Sequence, residues 1–300
     1  MAEVKENIKE KDLKEMVDCV SKQVIGRKNE IIMIISALRA GKHIFLEGPP
    51  GTSKSTIIQA ISSCADIGYI LITGNSDLST SKLVGFFDPA QTLAKGYTSE
   101  NFNPGPLVEA MKKGALLYVE EFNRLPDETT NIFVTVMSEK KLTIPRLGVI
   151  ETHPDFRIIA ALNPLDDIGI SRISRALKDR FTSIRLDYQS KEEEMEIVKL
   201  RCPDASQDII EFAVDIARET RHHPDLKLGS SVRGSIDMVD IYLQSANLLS
   251  QEEDQENLLL NSAIMAFRNK IWIYETSERT PESIITEIFN RLQRAKKKPV

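Results

Sequence analysis

Two rhythms of apolar residues run through this chain. Ile8, Leu13, Met16, Val17 and Val20 recur among charges across residues 5–22 at the spacing of one helix face, and residues 29–38 form a denser second helix closed by Gly41. Short apolar runs then alternate with helical stretches: 43–47, 69–72, 115–123 and 157–162 read as buried strands, whereas the segment from 57, 107–113 and 126–140 read as helices. Strands alternating with helices predict βαβ units and a parallel, doubly wound sheet with helices on both faces. Residues 76–106 break the rhythm with Phe86-Phe87-Asp88-Pro89 and Asn103-Pro104-Gly105-Pro106, which reads as a long loop or an inserted hairpin. Residues 142–151 read as two short strands around Pro145-Arg146-Leu147-Gly148. After about Tyr188 the stretches 191–201, 207–221, 231–249, 257–274 and 282–295 are all helical in period, with no convincing strand run.

Composition narrows the class without naming a function. With 41% hydrophobic and 28% charged residues over 300 positions, the chain reads as globular, with a soft prior of two domains. The longest nearly apolar run, 31–38, is far too short for a membrane span, and the opening residues show no secretory signal, so the expectation is a cytoplasmic protein. Cys19, Cys64 and Cys202 are widely spaced and read as reduced, partly buried thiols. His222 and His223 are adjacent and so point in different directions on a helix, which argues against a metal site there. A formal net charge of −5 argues against general affinity for nucleic acid, and the closing Arg-Ala-Lys-Lys-Lys reads as a solvated tail.

Chemistry enters at residues 43–56, HIFLEGPPGTSKST, where a strand meets a glycine turn and a helix. Gly48 and Gly51 let backbone N–H groups curl around an anion, and the helix N-terminus adds a partial positive charge. Lys54 then reaches the outer phosphates of a nucleotide and Ser55 offers its hydroxyl to Mg²⁺. The strict pattern has Gly where this chain has Ser53, a position expected to be an ordinary right-handed backbone at the helix entrance. The bland alternative, a turn joining a strand to a capped helix, leaves Lys54-Ser55 unexplained.

A second landmark is ALLYVEEFN at 115–123, a strand that delivers Glu120 and Glu121 at its C-terminal edge, where ligands sit in open α/β sheets. Successive strand residues point oppositely, so the two acids are expected to divide the work: Glu120 toward Mg²⁺ and Glu121 toward the attacking water. Without the glycine turn, both would read as the polar mouth of a strand. Asn163 ends the strand at 157–162, where it could hold that water or sense the γ-phosphate, although Asn-Pro alone is a turn initiator.

Taken in order, VIGR, GPPGTSKST, GPLVEAM, LLYVEEFNR, IPRLGVIETHPDFRIIAALNP and SRALKDRF, between about residues 24 and 233, resemble AAA+ ATPases, specifically the MoxR-like branch. The resemblance implies an AAA+ core at 1–188, a P-loop doubly wound parallel sheet with N-terminal helices, followed by an all-α lid at 189–300. It implies ATP and Mg²⁺ as ligands, with Gly48, Pro49, Pro50, Gly51, Thr52, Ser53, Lys54, Ser55 and Thr56 as the Walker A cradle, Ser55 and Glu120 at the metal, and Glu121 as the Walker B base. Asn163 matches the first sensor, Arg180 the arginine finger, and Arg233 in Gly229-Ser-Ser-Val-Arg233 the second sensor. Val24, Ile25 and Gly26 match the adenine pocket. Arg175 is the competitor for the finger; Phe181, which can anchor the turn, favours Arg180. Walker B ordinarily ends Asp-Glu, so Glu120 is a departure whose extra methylene shifts the carboxylate and would slow hydrolysis.

In relatives, elements at 81–103 and 142–151 face a ring opening or a partner. The resemblance therefore implies a homo-oligomer, a hexameric ring, that remodels a protein, often one carrying a von Willebrand factor A domain. Two other readings stay open: a nucleotide-gated scaffold that barely hydrolyses, motivated by Glu120, and a nucleic-acid motor, which the acidic charge disfavours.

Overall fold

The structure, a computed structural model, describes residues 12–164, 173–248 and 255–297. The part of the first expected helix before Asp12 lies outside them. Contacts divide the chain into two compact units, Met1–Pro49 with Ser53–Asp187, and Pro50–Thr52 with Tyr188–Val300.

The first unit runs α1 (Leu13–Ser21), α2 (Lys28–Arg39), β1 (His43–Glu47), α3 (Lys54–Ala65), β2 (Tyr69–Thr73), α4 (Thr80–Val84), β3 (Gly85–Phe87), α5 (Pro89–Lys95), β4 (Phe102–Pro104) and α6 (Pro106–Lys113). It continues with β5 (Leu116–Glu120), α7 (Asp127–Glu139), β6 (Lys141–Ile144), β7 (Gly148–Glu151), β8 (Arg157–Leu162), α8 (Arg175–Lys178) and β9 (Phe181–Arg185). Five strands form one parallel sheet in the order β2-β5-β8-β1-β9. Alternation along each strand divides the core. Ile44, Leu46, Leu116 and Tyr118 pack with α1, α2 and α3 on one face, while Phe45, Leu117 and Val119 pack with α6, Phe122, Phe133 and Phe181 on the other.

Local sequence explains where the elements start. Asp12 caps α1 by accepting from the N–H groups of Lys14 and Glu15, and Pro106 stands in the first turn of α6, where its missing N–H does no harm. The irregular stretch is indeed an inserted antiparallel hairpin, β3 with β4, but α4 and α5 flank and interrupt it. These helices have five and seven residues, too few to display a period. The pair β6 and β7 forms the second hairpin.

Cysteine chemistry departs from the sequence reading. Cys19 on α1 and Cys64 near the end of α3, expected as reduced thiols, are joined in a disulfide with their Cα atoms 6.1 Å apart. A separation of 45 residues carries no motif, and only the side-by-side packing of the two helices brings the sulfurs together. Cys202 is free and buried; burial and its hydrogen bond to Asp240 push the thiol up to about 12.

The second unit contains α9 (Lys191–Arg201), α10 (Gln207–His222), β10 (Leu226–Leu228), α11 (Val232–Leu248), α12 (Gln255–Phe267), β11 (Trp272–Ile273) and α13 (Pro281–Lys297). Its core is helical, built on Ile210, Phe212, Val214, Met238, Phe267, Ile285 and Phe289. The helix expected over 257–274 stops at Phe267, and Trp272-Ile273 instead pairs antiparallel with β10 in a two-stranded ribbon. Among the described residues no helix is long and apolar enough to cross a membrane.

Candidate active site: a phosphate cradle at the sheet edge

The parallel register places the chemistry on one edge. Glu47 at the end of β1 stands beside Leu162 at the end of β8, and the Gly48 N–H donates to the Leu162 carbonyl at 3.3 Å. Glu120 closes β5, which pairs with β8 on one side and β2 on the other. The turn after β1, Glu120 and Asn163 thus emerge from the C-terminal ends of three neighbouring strands, the crevice where α/β sheets receive ligands.

The cradle is built by backbone conformation. Gly51 has φ +75 and Ser53 φ +64, ψ +19, both left-handed, before α3 begins at Lys54. The expectation of a right-handed Ser53 is therefore wrong. The turn needs a left-handed residue just before the helix to bring the first N–H groups of α3 inward, which is why glycine is usual there. Lys54 folds back over the turn, its Nζ donating to the Gly48 carbonyl at 2.7 Å and the Pro49 carbonyl at 2.8 Å. Thr52 is buried, and Ser55 follows Lys54 in the first turn of α3. The N–H groups at the start of α3, an ammonium that can exchange carbonyls for phosphate oxygens, and a hydroxyl together form a donor set suited to a nucleotide phosphate chain. A Mg²⁺ ion at such a cradle takes one or two protein oxygens besides phosphates and water, and Ser55 and Glu120 are the candidates for that pair.

The two acids separate for a reason other than strand alternation. Glu120 shares its face of β5 with Tyr118, and that face packs on α3. Glu121 leaves the strand in a left-handed conformation, φ +49 and ψ +42, which starts a single 3₁₀ turn at Phe122–Arg124. Its carboxylate pairs with Arg124 at 3.1 Å. Both partners are 43% exposed at the side chain, so the pair contributes no more than about 1 kcal/mol and can open readily.

The other sequence-derived residues fall in different places. Val24 is buried in the core beneath α1, α2 and α3, with Ile25 and Gly26 half-buried beside it. Arg180 lies before β9, where its Nε donates to Ser138 of α7 at 2.6 Å and its guanidinium also meets the Ala176 carbonyl. Phe181 anchors that turn, edge-on to Phe45 with ring centroids 5.0 Å apart. The register of β9 with β1 pairs Phe181 with His43, so Arg180 stands level with the start of β1. At about 3.3 Å per residue that is roughly 20 Å from the cradle at the other end of the strand. Arg175 is exposed on α8, and Arg233 is exposed at the start of α11 in the second unit.

Two buried polar residues of the first unit were given no role by the motifs. Arg27 follows Gly26 with φ +64; it is buried, pairs with Glu30 at 3.1 Å and donates to the Asp187 carbonyl. It closes the VIGR stretch, which gave it no role of its own. Asn123 is 4% exposed, and among the described residues its Oδ1 has no partner.

An edge that gathers a glycine turn, a lysine ammonium and the two carboxylates at the end of β5 belongs to the P-loop nucleotide-binding proteins. Comparison with known proteins agrees. Residues 43–181 match the AAA domain of the dynein-related subfamily. A Staphylococcus epidermidis protein of uncharacterised function is 32% identical over 206 residues, covering 67% of this chain and 78% of that one. The gas vesicle ATPase GvpN of Haloferax mediterranei is 28% identical over 209 residues, covering 64% of this chain and 60% of GvpN. In fold, the chain is similar to a solved candidate ATPase from Cytophaga hutchinsonii, with a TM-score of 0.52, 21% identity and 93% of each chain covered. The chain belongs to the AAA+ ATPases.

Proposed function

We propose that this protein is a Mg²⁺-dependent ATPase that assembles into a homo-oligomeric ring, with six subunits the expected number, and uses hydrolysis to remodel a protein partner. The observation that carries the reading is Lys54 at the head of α3, its ammonium resting on the carbonyls of Gly48 and Pro49, with Glu120 ending a strand two places away in the sheet. ATP binding would exchange those carbonyls for phosphate oxygens. Gly48, Pro49, Pro50, Gly51, Thr52, Ser53 and Thr56 shape the backbone cradle, and Val24, Ile25 and Gly26 border the adenine. Mg²⁺, when bound, neutralises charge on the outer phosphates. Ser55 and Glu120 would hold it there, Glu121 would accept a proton from water once its pairing with Arg124 opens, and Asn163 would orient that water. Arg233 reads the terminal phosphate.

Exposed apolar side chains support a protein partner. Phe86, Leu93 and Tyr97 in the insert and Val149 on the β6–β7 hairpin are 49–90% exposed, and Arg146 of the hairpin lies over the Tyr97 ring at 3.9 Å. A partner with a von Willebrand factor A domain would engage these elements. The need for ATP supports a cytoplasmic location. The rival reading, an ATP-gated scaffold with little turnover, draws on Glu120 in place of aspartate.

Binding and turnover measured together test the proposal. Lys54→Ala is expected to weaken ATP binding by about a hundredfold, since it removes the cradle's side-chain cation. Glu121→Gln is expected to keep ATP binding but stop hydrolysis, because an amide cannot take a proton from water. Unchanged affinity in Lys54→Ala removes the cradle assignment. Arrest by Glu120→Gln but not by Glu121→Gln reverses the two acids, and wild-type turnover near zero with intact binding favours the scaffold.

A further inference from the structure

Arg221, near the end of α10, joins three separate segments of the second unit although its side chain is only 7% exposed. Its two terminal nitrogens donate to both oxygens of Glu194 on α9, at 3.1 and 2.6 Å. Its Nε donates to the Ser230 carbonyl at 2.7 Å, and its guanidinium lies 3.9 Å from the centre of the Tyr188 ring. Glu194, 2% exposed, is also met by Arg218 at 3.2 Å, and Arg218 donates to the Gln189 carbonyl as well. One buried carboxylate thus organises two arginines, each of which also grips a backbone carbonyl.

The gripped turn leads directly into α11. The Ser230 N–H donates to Thr220 Oγ1 at 2.9 Å, so both backbone polar groups of Ser230 are held by neighbouring residues of α10. A Cβ on Gly229 would fall 2.5 Å from the Arg221 N and Cα, so only glycine lets the turn lie flat on that helix. A Cβ on Gly234 would fall 2.3 Å from Ser230 Oγ, so the far side of the turn is fixed by α11 itself. Arg233 stands between these clamps, exposed, three residues after Ser230. Desolvating a carboxylate and a guanidinium is expensive, and apolar packing could stabilise the unit as well; what the charged cluster adds is a single fixed position for the turn.

We infer that Arg221, held by Glu194, is a positioning residue for Arg233, and that it ties the aim of Arg233 to Tyr188 and Gln189, where the chain enters the second unit. The inference rests on the reading of Arg233 as the group that meets the terminal phosphate of ATP. Arg221 touches no substrate itself; it fixes the turn from which Arg233 projects.

The test compares affinities for ADP and for the β,γ-imido analogue of ATP, using the full chain. Arg221→Lys keeps the charge but cannot serve Glu194 and Ser230 together. Thr220→Val is nearly isosteric, releases the Ser230 N–H along with a hydroxyl bond to the Ala217 carbonyl inside α10, leaves the Arg221 contacts in place, and keeps the test alive where Arg221→Lys fails to fold. Either variant is expected to lower the preference for the triphosphate over ADP by roughly five- to tenfold, the scale of one misaligned charge-assisted hydrogen bond, and to add less than about twofold in an Arg233→Ala background. A purely structural role would weaken both nucleotides alike, leaving the ratio unmoved. A ratio within twofold of wild type in both variants, while Arg233→Ala lowers it, overturns the inference alone. No change in Arg233→Ala itself overturns it together with the role given to Arg233.

Discussion

Ser53 shows most clearly how one residue departs from its motif. Left-handed backbone costs a residue with a Cβ about 1–2 kcal/mol, and glycine relieves this at the expense of greater freedom in the unfolded chain. Ser53→Gly is therefore expected to raise unfolding stability by about 0.5–1 kcal/mol in urea denaturation, with an unchanged denaturant slope. A loss would show that the Ser53 side chain contributes more than the strain removes. His43, at the start of β1, carries a different kind of stress. Its Nδ1 accepts from the Ile158 N–H at 2.9 Å, while burial first, then the charges of Arg157 and Lys140, lowers its pKa to about 4. The unfolded chain binds a proton near pH 6.5 that the folded chain refuses until about pH 4, so stability is full above that window and falls as pH drops through it. His43→Asn retains an acceptor without titrating, and is expected to remove up to about 3 kcal/mol of that acid-side loss in unfolding curves taken from pH 7 to pH 4.5.

At the scale of elements, the inserted hairpin depends on close backbone approach. Gly105 precedes α6, and a Cβ there would lie 2.4 Å from the Leu83 carbonyl oxygen of α4, which is backbone and cannot swing aside. Gly105→Ala is expected to cost about 1–3 kcal/mol, seen as a lowered thermal midpoint. Gly105 opens the GPLVEAM stretch, but the sequence does not show that the backbone of α4 lies against it; at Gly96 an added Cβ would meet nothing within 4 Å. The strands and long helices were legible because their apolar periods extend over enough residues: β1 and β8 begin and end where the pattern says. What stayed hidden was short or non-local. The ribbon of β10 and β11 spans three and two residues, and the Cys19–Cys64 bridge depends on how α1 packs on α3. At the site, the Walker-type stretches pointed to the candidate residues, yet not to the left-handed turns at Ser53 and Glu121, which arise from how a strand is made to stop.

Assembly is the question at the scale of the whole molecule. Arg180 sits at the N-terminal edge of the sheet and Lys54 beyond its C-terminal edge, so Arg180 is out of reach of the cradle in its own chain. An arginine finger contributes about 10³–10⁵ in rate, a contribution that an isolated subunit with this geometry would lack. The most direct measurement is ATP turnover per subunit as a function of protein concentration, for the wild type, Arg180→Ala, Lys54→Ala and a mixture of the two variants. The expected result is a steep rise with concentration in the wild type, a low rate for Arg180→Ala with ATP binding intact, and turnover in the mixture above the sum of the separate variants. In that mixture the Arg180→Ala cradles receive their arginine from Lys54→Ala neighbours. Turnover per subunit that does not change with concentration, or mixed assemblies that show no rescue, would contradict an ATPase whose site is completed by its neighbour.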